Sequence, residues 1–219
     1  MDPASNTQLV DGRGRSISTA ILYEVVRALR ELTPGDGLRV RADPLPAVDS
    51  DMRAWCRTTG HELIEVGKAE GAREYVIRKA SEVRKQPAWA MVISNPGLEE
   101  LLSPLGFALG AALGGSAVAL YFQGPAVRVL TGSFSEGLAG WRRPFSGFAR
   151  RGLERAGHPP PHEKLRQLED LGAQIYICGP SMEHFKVATE DLFLAAIRVA
   201  AYPTFVAEMN GAGVQVFLQ

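Results

Sequence analysis

The spacing of apolar residues changes character along this chain, and each change marks an element. Ile21, Leu22, Val25, Leu29 and Leu32 recur as one face of an amphipathic helix does. Residues 8–10 read as a short strand leading into the turn Asp11-Gly12-Arg13-Gly14, and Ser18 or Thr19 is placed to cap the helix that follows. Thr33-Pro34-Gly35-Asp36-Gly37 ends that helix, because Pro and Gly continue it only at a cost. Leu38-Arg39-Val40-Arg41 then alternates as a half-buried strand should. A second helix is predicted over 48–59, stopped by Gly60, with strands at 62–66 and 74–77 around Gly71. The order β-α-β-α-β-β predicts a small two-layer α/β sandwich over residues 8–80.

Residues 78–87 are charged and end in Pro87, which suits a connection. Beyond them the texture differs. Strands are predicted at 89–94, 117–122, 174–178 and 214–218, and helices at about 101–114, 163–171 and 190–201. Strands that are apolar throughout and alternate with helices imply a mostly parallel sheet covered on both faces. A flavodoxin-like α/β/α domain is therefore expected over residues 88–219. The stretch from Leu101 to Val127 holds no charged residue and is long enough to cross a bilayer. Pro104, Gly106, Gly110 and the break at Gly114-Gly115-Ser116 argue instead for a core helix followed by a core strand. No membrane span is expected. Residues 1–10 do not form a charged start with an apolar run, so no secretory signal is read there, and a cytoplasmic location is expected.

Composition narrows the chemistry. Lys and Arg number 24 against 24 Asp and Glu, which disfavours nucleic acid as a partner. Two cysteines, Cys56 and Cys178, cannot build a disulfide framework or an all-thiolate zinc site. His158 and His162 flank Pro159-Pro160-Pro161 and are too few for a metal centre, and no Gly-x-Gly-x-x-Gly joins a strand to a helix. Neither metal nor cofactor is expected. A long connection over 131–161 mixes arginine with aromatic residues from Trp141 to Arg151, in the manner of a docking loop or a solvated excursion.

The strongest candidate site lies at Cys178, at the carboxyl end of a predicted strand, where open parallel sheets bind ligands. Gly179-Pro180-Ser181-Met182-Glu183 follows, with Ser181 placed to cap a short helical turn. A thiol beside a helix N-terminus sees the positive end of its dipole, which favours thiolate, the nucleophilic form. A buried, inert cysteine at a strand end fits the same position, and position alone leaves both readings open. His184 lies six residues on and could orient or deprotonate the thiol, or simply be a surface residue. Cys56 falls on the apolar stripe of the second helix with Val48 and Met52 and reads as a core thiol.

Both halves resemble sulfur-trafficking families. Residues 9–79 resemble the TusA/SirA-like carriers through Leu9-Val10-Asp11-Gly12-Arg13-Gly14, Pro34-Gly35-Asp36-Gly37-Leu38, Ala42-Asp43-Pro44 and Trp55-Cys56 with Gly60-His61-Glu62-Leu63. The family's Cys-Pro-x-Pro motif reads here Ile17-Ser18-Thr19-Ala20, so the carrier cysteine and both prolines are gone. Cys56 stands on another helix and inherits nothing from that motif. Residues 88–219 resemble the DsrE/DsrF-like family, whose Cys-x-x-Ser-Met pattern is matched by Cys178-Gly179-Pro180-Ser181-Met182. That resemblance implies sulfane sulfur carried as a persulfide on Cys178, a sulfur-carrier or sulfur-donor protein as partner, and homo-oligomers. The missing cysteine at position 17 keeps a second reading in view, a non-catalytic scaffold that binds sulfur carriers.

Overall fold

The computed structural model describes residues 8–69, 71–135, 137, 146–155 and 158–218, and the chain forms two compact units. The first is built chiefly of residues up to Lys85 and the second of residues from Gln86 onward.

The first unit is a four-stranded sheet of order β1-β2-β4-β3, with strands at Gln8–Asp11, Gly37–Ala42, Glu62–Ala69 and Ala72–Arg78 numbered β1 to β4 along the chain. β1 pairs parallel to β2, and the remaining pairs are antiparallel. Helices α1 (Ser18–Arg30) and α2 (Pro46–Thr59) bury Ile21, Val25, Leu29, Val48, Met52 and Cys56, the stripes read from the periodicity. Neither Ser18 nor Thr19 caps α1, in contrast to the expectation. Ile17 holds the N-cap position without any side-chain hydrogen bond, because the helix begins one residue earlier and makes Ser18 its first member. Gly60 closes α2 at φ +87°, a left-handed conformation that a side chain would disfavour, and its amide donates to the Cys56 carbonyl.

The second unit holds five strands, β5 (Trp89–Ile93), β6 (Val118–Phe122), β7 (Gln174–Cys178), β8 (Ile197–Ala200) and β9 (Val214–Leu218). All its pairings are parallel, in the order β8-β7-β6-β5-β9. Connecting helices are α3 (Leu98–Leu113), α4 (Ser146–Arg155), α5 (Pro161–Asp170), the short α6 (Gly179–Phe185) and α7 (Tyr202–Gly211). From β5 to β8 the chain steps in one direction across the sheet, and from β8 to β9 it returns past its start. Right-handed crossovers then put α3 and α5 on one face and α7 on the other. The result is a flavodoxin-like α/β/α domain. The uncharged stretch is α3, a 3-10 segment and the wholly buried β6, and no helix among the described residues is long and apolar enough to cross a membrane.

One predicted element is of the wrong kind. The helix expected at 190–201 is a 3-10 turn at Thr189–Asp191, an irregular stretch, and then β8. The long connection at 131–161 contains α4, whereas residues 141–145 of its arginine–aromatic cluster lie outside the described residues.

Candidate functional site

Cys178 ends β7 and is itself the N-cap of α6, with extended backbone angles and no side-chain capping bond. This displaces Ser181 from its expected capping role. Gly179 and Pro180 fill the first helical positions, which suits a proline that has no amide to leave unpaired, and Ser181 comes third. Its Oγ accepts a hydrogen bond of 3.0 Å from the Gly124 amide, in the turn that leaves β6. Ser181 therefore ties the turn after Cys178 to the turn after the neighbouring strand. A second bond joins the same sheet edge one strand further along, where Gln123 Nε2 donates to Ser94 Oγ at 3.0 Å.

Strand register decides what faces the thiol. Tyr121 on β6 stands opposite Tyr176 on β7, and Cys178 lies two residues beyond Tyr176, opposite Ala200. Alternation puts Tyr121, Tyr176 and Cys178 on one face. α7 covers that face through Phe205, which stacks on Tyr121 at 4.9 Å and meets Tyr176 edge-on at 5.6 Å. Tyr176 Oη also donates to Glu208 Oε1 at 2.7 Å, so α7 is held by packing and by a charged hydrogen bond. Burial, and after it the Cys178 thiol, raise the Tyr121 phenol above its ordinary range. Among the described residues its buried hydroxyl has no hydrogen-bond partner of good geometry, and the thiol acts on it as a close polar neighbour.

Cys178 is 0% exposed. No reagent reaches its Sγ without local opening of the structure around it. Beside this turn lies an open cleft of about 460 Å³, lined in part by Gly179, Met182, Val187 and Val199. His184 is exposed in the last turn of α6, against the Phe185 ring at 4.8 Å, and no hydrogen bond among the described residues joins it to Cys178. The sequence thus brings Cys178 and Ser181 together and leaves His184 on the surface. Tyr121 escaped sequence reasoning because only the register of β6 on β7 sets it beside the thiol. In the first unit, Cys56 is buried, and burial pushes its thiol up to about 11. Among the described residues no group of His, Cys, Asp and Glu is arranged to hold a metal.

Along the chain a small two-layer α/β sandwich is followed by a flavodoxin-like domain with a cysteine at a strand's carboxyl edge, and both match families of sulfur relay. Residues 89–216 match the DsrE/DsrF-like family, and the chain belongs to it. Residues 22–79 match the family described as sulfurtransferase TusA. Among solved structures, the ychN protein from E. coli aligns over 61% of this chain and 100% of its own, at 9% identity and a TM-score of 0.43. A putative methyltransferase from Legionella pneumophila, solved with bound SAM, covers 97% of this chain and 89% of its own, at 12% identity and a TM-score of 0.18. At these values neither likeness bears on function. No curated protein matches the chain significantly.

Proposed function

We propose that this protein relays sulfane sulfur through a persulfide on Cys178, within a relay domain of residues 88–219 that follows a carrier-like domain of residues 8–80. The observation that supports this most is the place of Cys178: last residue of a core parallel strand and N-cap of the next helix, inside the segment that matches the DsrE/DsrF-like family. The step is an exchange at sulfur. The Cys178 thiolate attacks the outer sulfur of a donor persulfide, a new sulfur–sulfur bond forms, and the donor's sulfur–sulfur bond breaks. The donor leaves as a thiolate, and the outer sulfur's proton stays with it as Cys178 persulfide, so no external oxidant or reductant is consumed. Ser181 holds the turn in place, and His184, on the surface of α6, meets the donor protein. Both cysteines are free, which suits a reducing cytoplasm. Tyr202, Val206 and Phe217, apolar and exposed, support contact with a further copy.

Ile17 at the head of α1 and the closed position of Cys178 favour a second reading, a scaffold that binds carriers without loading sulfur. Incubation with a low-molecular-weight persulfide, followed by removal of donor and addition of excess cyanide, separates the two. Relay predicts thiocyanate in proportion to protein for the native chain and background for Cys178→Ser. Equal thiocyanate from both proteins, or none from either, would rule relay through Cys178 out.

A further inference from the structure

We propose that the Tyr121 hydroxyl is the hydrogen-bond donor that stabilises negative charge on the Cys178 sulfur, the form that attacks a donor persulfide. This rests on the reading of Cys178 as the sulfur-carrying residue, and it adds the group that holds the anion in a closed site.

Burial makes such a donor necessary. Cys178 is 0% exposed and Tyr121 1% exposed, so water does not reach the sulfur in the closed fold. An anion taken out of water is costly unless fixed donors replace its hydration. The turn behind Cys178 supplies little. The thiol makes no capping bond, and Pro180 has no amide to give. Opposite Cys178 on β8 stands Ala200, whose side chain has no polar atom.

Tyr121 is placed to supply the donor. It pairs with Tyr176, two residues before Cys178, so phenol and thiol project from neighbouring strands to the face under α7. Its hydroxyl is buried and has no hydrogen-bond partner of good geometry among the described residues. An unpaired buried hydroxyl is costly, and a sulfur anion is a stronger acceptor than the thiol it replaces. Burial first, and then the Cys178 sulfur, raise the Tyr121 phenol, which therefore keeps its proton through neutral pH and remains a donor there.

The other polar groups around this face are engaged or exposed. Tyr176 Oη is shared between Gln174 Oε1 and Glu208 Oε1 on α7, each at 2.7 Å. Arg198 on β8 lies over the Tyr176 ring at 5.9 Å and donates to its oxygen at 3.4 Å. Tyr202, at the start of α7, is exposed, with its ring 6.3 Å from that of Tyr121. Glu183 and His184 on α6, and Lys186 at its end, are exposed as well.

The test is a pH titration of the full chain carrying 13C-labelled cysteine, with its two Cβ resonances assigned through Cys178→Ser. The Cβ shift reports thiolate in the folded protein and needs no reagent to enter. In Tyr121→Phe, which keeps the ring, the Cys178 midpoint is expected to rise by about one pH unit. The Cys56 resonance should titrate identically in both proteins. A Cys178 midpoint that is unchanged or lowered in Tyr121→Phe would overturn the assignment. So would failure of Cys178 to ionise before Cys56 in the native chain. Thiocyanate release from the persulfide-treated native chain checks relay separately: its absence would remove relay and leave the midpoints to decide the role of Tyr121.

Discussion

Buried titratable side chains give the first unit a pH response of calculable sign. The His61 Nδ1 accepts a hydrogen bond of 3.0 Å from the Ala80 amide, and its ring lies 5.0 Å from that of Trp55. Desolvation, and after it the Lys79 charge, lower its pKa. The unfolded chain therefore binds a proton more readily than the folded one, so stability is complete above the ordinary histidine range and falls as pH drops through it. Denaturant midpoints measured from pH 8 down to 5 should decline, and His61→Asn should flatten that decline; an identical slope in both would remove His61 as the cause. Cys56, with its thiol pushed up to about 11, stays protonated at neutral pH and should resist alkylation in the folded chain. Tyr121→Phe removes a buried hydroxyl without a good partner while keeping the stack on Phe205. Its stability by chemical denaturation should be unchanged or raised by about 1 kcal/mol. A loss of that size would mean that the hydroxyl makes a bond with the thiol after all.

At the scale of elements, α7 packs on the sheet face that carries Cys178, and α6 begins at Cys178 itself. Phe205 is almost wholly buried and anchors α7 on the tyrosine face. Phe205→Ala should cost about 3 kcal/mol in the second unit and speed alkylation of Cys178; destabilisation with an unaltered alkylation rate would show that access runs through the α6 turn instead. Ser181→Ala leaves the Gly124 amide without its partner and should cost about 1 kcal/mol. The helices of the first unit, the buried strands and the place of Cys178 were legible in the sequence, because apolar period and Pro-Gly punctuation are local signals. β8 was not. Its segment opens with Glu190 and Asp191, as a helix does, and runs through Leu192, Leu194, Ala195 and Ala196, all helix formers. Pairing with β7, Ile197 on Ile175 through Ala200 on Cys178, overrides that preference, and no local pattern encodes it. The capping roles expected of Ser18 and Ser181 failed for a related reason. In each case the chain enters the helix before or at the serine, and an earlier residue, Ile17 or Cys178, takes the cap position. Tyr121 stayed hidden because its closeness to the thiol depends on register between two strands.

For the whole molecule, two sulfur-relay folds share one chain, and their chemistry is unequal. The first unit keeps the β-α-β-α-β-β frame, the sequence resemblance sets Ile17, ahead of the matched residues 22–79, where the TusA pattern has its cysteine, and Cys56 is buried on the inner face of α2. In the proposed function the sulfur rests on Cys178. The most direct measurement is peptide-level mass spectrometry of the full chain, exposed to a persulfide donor, trapped with an alkylating reagent and digested. The account predicts one added sulfur, ~32 Da, on the peptide containing Cys178 and none on that containing Cys56. The same treatment of Cys178→Ser should yield no adduct. Sulfur found on Cys56, or none on Cys178 while the donor itself remains competent, would contradict it.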